Sequence, residues 1–199
     1  MKKILLLAIA AVMGFGAANA QLQFGAKVGF ELTNFWGKDM PHGMKPSYQA
    51  GLLMEYKFTP RFAIAPEVVF ASQGGKFKAV KSILGIDLGQ KDKSFTYNTN
   101  YVNIPVMLKF YATPELSIDF GPQLGINVYS KCSVEGADKA IDLKDNTNAV
   151  DFGVGMGATY NLTENAFLQA RYTLGVTNTF KGDGDVKNGA IQVAFGYKF

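Results

Sequence analysis

The last ten residues, "AIQVAFGYKF" (190–199), alternate strictly between apolar side chains and polar or small ones. From Ile191 onward every second residue is apolar, and the final residue is aromatic, Phe199. A two-residue period places successive side chains on opposite faces of a β-strand. Chain ends are usually frayed and polar, so a strand that alternates to its last residue is expected to be paired. The segment therefore predicts a sheet with no free edge at its C-terminal strand.

The same alternation recurs seven times before this segment. No helix-period segment stands out after residue 20, and Gly, Phe and Tyr are abundant. The predicted strands before the last one are 21–35, 48–58, 62–71, 96–111, 116–130, 149–160 and 167–177. The sequence thus predicts an all-β protein with eight antiparallel strands.

The connections between these strands alternate in length. Three are short (59–61, 112–115 and 161–166), and four are long and polar (36–47, 72–94, 131–148 and 178–189). An up-and-down meander gives this pattern, and in outer-membrane barrels the short turns are periplasmic while the long loops are extracellular. The even number of strands places both ends of the barrel domain on the periplasmic side.

The N-terminal segment predicts export. Residues 1–20 have two lysines, an apolar run and a small-residue ending, Ala18-Asn19-Ala20, which are the marks of a cleaved signal peptide. The predicted organisation is a signal peptide (1–20) and one barrel domain (21–199). Removing Lys2 and Lys3 lowers the formal charge from +4 to +2. With no basic block in the remainder, nucleic acid is not an expected partner, and the single cysteine, Cys132, excludes an internal disulfide.

Alternation alone leaves two orientations open: a soluble exported barrel that buries its apolar face around a ligand, or a membrane barrel that turns it to lipid. The positions between the apolar residues of the strands hold ten charged residues, five of each sign, and many glycines. An eight-stranded barrel has room inside only for packed side chains, and a lysine on the lipid face costs roughly 2–4 kcal/mol. We therefore predict an eight-stranded up-and-down transmembrane β-barrel with a lumen charge network, in which the five acids pair with the five bases. Its members are Lys27, Glu31, Glu55, Lys57, Glu67, Lys109, Asp119, Asp151, Arg171 and Lys198.

Aromatic residues near the strand ends favour the lipid-facing orientation, because two aromatic belts are typical of the two membrane interfaces. The short-turn belt is predicted from Phe58, Phe62, Phe110, Tyr111, Tyr160, Phe167, Tyr197 and Phe199, and the long-loop belt from Phe35, Trp36, Tyr48, Phe70, Tyr101 and Tyr129. Pro66, Pro105 and Pro122 fall inside predicted strands, where each removes a hydrogen-bond donor. They predict local bulges or kinks.

Three stretches carry a resemblance to a known family. "YVNIPVMLKFYATPELSIDFGPQLGINV" (101–128), "DFGVGMGATYNLTENAFLQARYTLGVTN" (151–178) and "GAKVGFELTNF" (25–35) resemble the PorT-like small outer-membrane β-barrel family, often labelled a porin family. The resemblance implies an integral outer-membrane protein, usually without a defined activity, and the label is no argument for a channel. The ending with Tyr197 and Phe199 also resembles the assembly signal read by the barrel-assembly machinery. The expected partners are therefore that machinery and outer-membrane lipid.

Several functions stay open at this point. The barrel is either a closed structural barrel whose loops bind an extracellular ligand or protein, or a narrow channel for ions or small polar solutes. The apolar stretch 76–89 in the second long loop is the preferred docking segment. No enzyme is expected, since His42 near Ser47 lacks a strand-anchored nucleophile and an orienting partner. One His and one Cys give no usual transition-metal site, "GDGD" (182–185) is expected to be a polar turn, and no cofactor is expected.

Overall fold

The computed structural model describes residues 21–37, 43–78, 94–134, 141–181 and 185–199. The strands are β1 (Leu22–Trp36), β2 (Lys45–Lys57), β3 (Phe62–Lys78), β4 (Ser94–Tyr111), β5 (Leu116–Val134), β6 (Ile141–Asp142), β7 (Val150–Asn161), β8 (Ala166–Gly175) and β9 (Lys187–Lys198). A single 3-10 turn spans Lys144–Asn146. Within these ranges no helix is both long and apolar enough to cross a membrane.

Eight of the strands close into a ring. Each pairs with its neighbour in an antiparallel register, in the order β1-β2-β3-β4-β5-β7-β8-β9, and β9 returns to pair with β1. The closing register sets Val28 opposite Phe195 and Leu32 opposite Ile191. The two-residue β6 pairs only with the extracellular end of β5. The prediction of an eight-stranded antiparallel barrel is confirmed, and the alternating C-terminal segment is the strand that closes it.

The two phases of alternation separate cleanly across the wall. Phe30 is 81% exposed on the outer face, whereas Lys27 and Glu31, on the same strand, are each 2% exposed inside. The same split holds on the other side of the ring, where Met156 is 60% exposed and Arg171 is 4% exposed. Because the side chains of a strand alternate between faces, the apolar phase coats the barrel and the charged phase fills it.

Three strands extend beyond their predicted ends on the long-loop side by two to seven residues and form a common extension: β3, β4 and β5. β3, β4 and β5 run on past the level at which about ten residues already cross a bilayer, so their extracellular ends form a hairpin-like extension above the membrane. A β-bulge separates the extension from the barrel: the β4–β5 register shifts between Asn100 and Tyr101. One extra residue of β5 is accommodated there, which increases the local twist.

The predicted proline bulges are absent from the described ladders. Register is the same on both sides of Pro66, since Leu53 pairs with Glu67 and Tyr56 with Ile64. It is also the same on both sides of Pro105 and Pro122. Each proline therefore removes only its own hydrogen bond from the ladder. The register of the β4–β5 pair shifts at the bulge beside Asn100 and not at a proline. The outward Pro66 and Pro122 are tolerated because a missing donor leaves the neighbouring pairs in place.

Candidate functional site: the lumen and its extracellular mouth

Nine of the ten charged residues predicted to face inward lie buried inside the barrel, each less than 8% exposed. They are Lys27, Glu31, Glu55, Glu67, Lys109, Asp119, Asp151, Arg171 and Lys198. The tenth, Lys57, is half-buried at the periplasmic end of β2, with its Nζ 4.5 Å from the ring centre of Tyr111. Alternation on eight separate strands is what directs these side chains to one shared interior.

The centre of the lumen is crossed by ion pairs to Glu67. Arg171 donates from both terminal nitrogens to the two carboxylate oxygens of Glu67, at 2.8 and 2.9 Å. Lys27 Nζ donates to Glu67 Oε2 at 2.7 Å. β3 and β8 lie on opposite sides of the ring, so the Glu67–Arg171 pair spans the barrel interior. A bidentate Arg–carboxylate pair is geometrically rigid, and we call this group the central ion cluster.

The central ion cluster continues into a chain of hydrogen bonds along the wall. Lys27 Nζ also donates to Gln169 Oε1 at 2.8 Å, and Gln169 Nε2 donates to Thr159 Oγ1 at 3.2 Å. The Thr159 hydroxyl donates to Asp119, which also accepts from Ser117 Oγ at 2.7 Å. One connected network therefore links β1, β3, β5, β7 and β8. Within this network only Nε of Arg171 is buried without a hydrogen-bond partner, and buried networks that are nearly satisfied in this way favour one arrangement of their side chains.

A second cluster lies toward the periplasmic end and centres on Glu55. Lys109 Nζ donates to Glu55 Oε2 at 3.0 Å, and Lys198 Nζ lies 3.3 Å from the same oxygen. The hydroxyl of Tyr111 donates to the other carboxylate oxygen. The strands β2, β4 and β9 are thus tied together across the lumen close to the short turns.

The expected pairing of all five acids with bases is wrong for three of them. Asp119 is held by the two hydroxyls described above, and Asp151 accepts from Thr177 Oγ1 at 2.7 Å and from Asn188 Nδ2 at 3.0 Å. Both carboxylate oxygens of Glu31 are buried without a hydrogen-bond partner. Neutral donors replace the predicted bases because hydroxyl and amide side chains share the inward phase, which a count of charges ignores.

Four aromatic residues assigned to the belts point inward. Tyr111, Phe167, Phe35 and Tyr101 are each at most 3% exposed, while the belt residues Phe58, Tyr160 and Tyr197 are 48–51% exposed on the outer face. The Tyr111 hydroxyl donates a hydrogen bond to Glu55. The ring of Phe167 lies over the backbone of Gly196, its cross-strand partner. A Cβ at Gly196 would lie 2.1 Å from Phe167 Cζ, so only glycine fits beneath this ring.

A hydrophobic cluster that the sequence analysis did not identify lies at the extracellular mouth, and we call its members, Phe35, Tyr97, Phe180 and Val186, the aromatic plug. The rings of Phe35 and Tyr97 come from β1 and β4, which lie nearly opposite each other in the ring of strands, yet their centres are 6.3 Å apart. Phe180, from the β8–β9 loop, packs 5.4 Å from Phe35 and 5.8 Å from Tyr97. Burial of aromatic surface with edge-to-face contacts stabilises such a cluster.

Two extracellular loops hold Phe180 in place. Asn148, in the β5–β7 loop, donates its backbone N–H to Thr179 O at 2.8 Å and its side-chain amide to Asn178 O at 2.7 Å. Lys181 N returns a bond to Asn146 O at 2.9 Å. The two loops are therefore pinned into one surface over the mouth, with the aromatic plug on its inner side.

Cys132 lies beside the aromatic plug, whereas the sequence predicted that it lies in a surface loop (131–148). It is on the extended part of β5, 4% exposed, directly opposite Tyr97. Burial raises the pKa of the Cys132 thiol, and burial likewise raises the pKa of Tyr97 to about 12. Both groups are therefore neutral at physiological pH, and the thiol is expected to be a poor nucleophile.

The remaining sequence candidates fall in several places. Tyr197 and Phe199 lie on the outer face at the periplasmic end of the closing strand pair, 51% and 39% exposed. Asp185 of the "GDGD" stretch forms an ion pair with Lys187 at 2.7 Å. The predicted signal peptide, His42 and most of 76–89 lie outside the described residues. In the described part of the chain, no group of three or more His, Cys, Asp and Glu side chains could hold a metal ion.

Comparisons with known proteins agree with this architecture. The fold is similar to Neisserial surface protein A, with a TM-score of 0.57 and 15% identity over 88% of this chain and 97% of that one. It is similar to the attachment invasion locus protein Ail of Yersinia pestis, with a TM-score of 0.50 and 17% identity over 89% and 98% of the two chains. A second structure of Ail, in complex with the heparin analogue sucrose octasulfate, gives a TM-score of 0.51 and 18% identity over 90% and 99%.

At such identities these likenesses show the fold alone, and no curated protein matches the sequence. The sequence itself matches the outer membrane protein beta-barrel domain family over residues 17–181, which include every strand of the barrel except β9. A closed eight-stranded barrel with an apolar exterior, together with this match, shows that the chain belongs to the outer membrane protein beta-barrel domain family and is an outer-membrane β-barrel protein.

Proposed function

We propose that this protein is a closed outer-membrane barrel that passes no solute and acts through its extracellular loops. The observation that carries the proposal is the pair of barriers in series along the lumen. The central ion cluster joins opposite walls through Glu67 and Arg171, and the aromatic plug joins nearly opposite walls at the mouth. Eight-stranded barrels are normally filled by side chains. Here an ion pair and aromatic contacts also connect side chains from opposite walls.

Planar-bilayer recording tests the closed state against the narrow-channel alternative. The purified mature chain is inserted beside an open porin that serves as the positive control in the same bilayer. A closed barrel is expected to give a flat trace at all voltages that the bilayer survives. Steady, well-resolved unit openings that scale with the amount of protein would contradict the proposal and support a channel for ions or small polar solutes.

For the loops, we propose binding of an anionic extracellular polymer. The predicted second long loop, 72–94, which includes the extracellular end of β3, carries five lysines and two aspartates, whereas 131–148 carries three lysines and four acids. One fold neighbour was solved with a heparin analogue, which makes immobilised heparin a reasonable first probe. Cells that produce the protein should retain more heparin than cells that lack it, and less at high salt.

Charge reversal locates that binding. Lys91→Glu with Lys93→Glu should abolish the extra heparin retention, while the double reversal Lys139→Glu with Lys144→Glu, in the slightly acidic segment 131–148, serves as the matched control. Equal retention by producing and non-producing cells would contradict an anionic polymer as the ligand. Because the barrel is untouched by these changes, this result is independent of the conductance result.

We further propose that the protein is not an enzyme and that residues 1–20 are a cleaved signal peptide. Ser47, the candidate nucleophile, is 7% exposed inside the barrel and its hydroxyl oxygen lies 3.3 Å from that of Thr33, and this burial argues against a nucleophilic role. His42→Ala is expected to leave the lipid profile of the cell unchanged. N-terminal sequencing of the membrane-embedded protein is expected to begin at Gln21, and a sequence beginning at Met1 would contradict cleavage.

Two finer assignments complete the proposal. Within the family, the motifs at 101–128 and 151–178 support a place among the PorT-like barrels. The outward aromatics Tyr197 and Phe199 support recognition of the last strand by the barrel-assembly machinery. Replacing Phe199 with Ser should slow insertion of the protein into the outer membrane, and unchanged insertion would remove Phe199 from that role.

A further inference from the structure

The outer face of the barrel carries a groove of about 500 Å³ where the strands β8, β9, β1 and β2 lie side by side. Two rows of outward side chains flank it, because cross-strand partners stand next to each other on one face of a sheet. The row toward the extracellular side is Tyr48, Phe30 and Val193, and the row toward the periplasm is Ala50, Val28, Phe195 and Leu168. All of these side chains are aliphatic or aromatic, and we call the feature the wall groove.

The floor of the wall groove is backbone. Gln49, Gly29 and Ala194 are cross-strand partners between the two rows, and their positions belong to the inward phase, so no side chain rises from the floor. β1 and β9 approach closely here, since a Cβ at Gly29 would lie 2.4 Å from Val193 O. The flanking side chains stand high above this floor, with Phe30 81% exposed. The wall groove is therefore bounded on two sides and below.

The wall groove lies near the middle of the bilayer. Trp36 ends β1 at the extracellular side, beside its cross-strand partner Lys187, whose Nζ is 5.0 Å from the centre of the indole ring. Tryptophan is enriched at the membrane interface. Phe30 lies farther down β1, about 20 Å from Trp36 along the strand, and a strand tilt of about 40° reduces this to about 15 Å of depth. That depth is half of a hydrocarbon core of about 30 Å.

The depth and the shape of the wall groove narrow the choice of occupant. Water is absent from the hydrocarbon core, and lipid headgroups lie outside it. A second barrel is rigid and convex, and the projecting Phe30 ring would hold its wall away from the floor. An acyl chain is thin and flexible enough to lie between the two rows. Because such a chain is as apolar as the wall, van der Waals contact decides its retention, and a groove contacts it on three sides where a convex wall contacts it on one.

We propose that the wall groove is a binding site for one acyl chain of a membrane lipid. The chain lies over the backbone of Gly29 and Ala194, between the side chains of Phe30 and Phe195. A lipid held in this way exchanges more slowly than the lipids around the rest of the barrel. This inference concerns the outer face of the barrel and goes beyond the proposed function, because it depends neither on a closed lumen nor on the loops.

Native mass spectrometry tests the site on the mature chain extracted from its membrane in a mild detergent. The wild type is expected to retain one lipid molecule, which its mass identifies. Ala50→Phe fills the wall groove and is expected to lose that lipid, whereas Ala26→Phe, the same change at an exposed position of β1 outside the groove, is expected to keep it. Equal retention by the wild type and Ala50→Phe, or no lipid on the wild type, would overturn the proposal. A dimer that Ala50→Phe separates would also overturn it, in favour of a second copy of the chain as the occupant.

Phe30→Ala keeps the test decisive if Ala50→Phe does not fold. It removes one side of the wall groove at a strongly exposed side chain, so the packing of the barrel is unchanged. In vesicles that contain phosphatidylcholine spin-labelled near the end of one chain, the proposal predicts a slowly exchanging component in the electron paramagnetic resonance spectrum. Phe30→Ala should abolish this component, whereas Phe152→Ala, at an exposed outward position of β7, should leave it in place. Identical spectra for the wild type and Phe30→Ala would contradict the acyl-chain site.

Discussion

Removing the negative charge of Glu67 should be the most damaging single change in the lumen. Glu67 is 3% exposed and accepts three hydrogen bonds, two from Arg171 and one from Lys27. Breaking a buried ion pair by removing one partner costs about 3–5 kcal/mol, because the other charge stays buried. Glu67→Gln leaves both Lys27 and Arg171 without a carboxylate partner, so we expect the free energy of unfolding to fall by about 4–5 kcal/mol.

Lys27→Met gives the matched comparison. Glu67 then keeps both bonds from Arg171, and the buried ammonium disappears together with its desolvation cost. The expected loss is about 1–2 kcal/mol, mainly the charged hydrogen bond. In the double variant Glu67→Gln/Lys27→Met only Arg171 lacks its partner, so the two losses should not add, with a coupling of about 1–3 kcal/mol.

The assay is equilibrium urea unfolding in lipid vesicles. Trp36 is the only tryptophan, and its indole N–H donates to Asn188 O at 3.1 Å at the extracellular end of the barrel, so its fluorescence reports unfolding. Gel mobility of the unheated sample provides a second probe, and coincident transitions justify a two-state treatment. If Glu67→Gln were no less stable than Lys27→Met, or if the two losses were additive, the central ion cluster would not be a coupled unit and the reasoning would fail.

Three further predictions concern the plug, the wall and the closing strand. The thiol of Cys132 should react slowly with a maleimide, because burial raises its pKa, and Phe180→Ala should speed the reaction; an equal rate would contradict a closed mouth. Val154→Arg should lower the free energy of unfolding in vesicles by roughly 2–4 kcal/mol, whereas Val154→Leu should change it little. Gly196→Ala should destabilise the barrel by about 1–3 kcal/mol, since the new Cβ meets the Phe167 ring, and the added change Phe167→Leu should recover part of that loss.

The alternation of apolar and polar residues predicts most of the fold. Because one face of every strand meets an apolar surrounding and the other a polar interior, the two-residue period fixed which side chain of each strand points inward. The same parity could have placed the four misassigned aromatics. Tyr111 is in phase with Lys109, Phe35 with Glu31, and Phe167 with Arg171. Proximity to a strand end, which is the criterion for the predicted belts, ignores this parity and therefore places them on the wrong face.

The pairing inside the lumen could not be predicted in the same way. Glu67 meets Arg171 across the barrel and not on a neighbouring strand, so the pair depends on strand tilt and stagger, which no local pattern encodes. Hydroxyls and amides then took the place of bases at Asp119 and Asp151. The aromatic plug was missed because Phe180 lies in a loop that carries no periodic signal.

Labelling with a lipid-soluble photoprobe, followed by mass spectrometry, tests the central claim most directly. The claim is that one phase of every strand meets acyl chains while the other fills a closed interior. In native membranes the probe should modify Val28, Val154 and Phe195 and leave Lys27, Glu67 and Arg171 untouched. Modification of the charged set with protection of the apolar set would mean that the barrel is inverted, and the lipid-facing exterior and the closed lumen would both be contradicted.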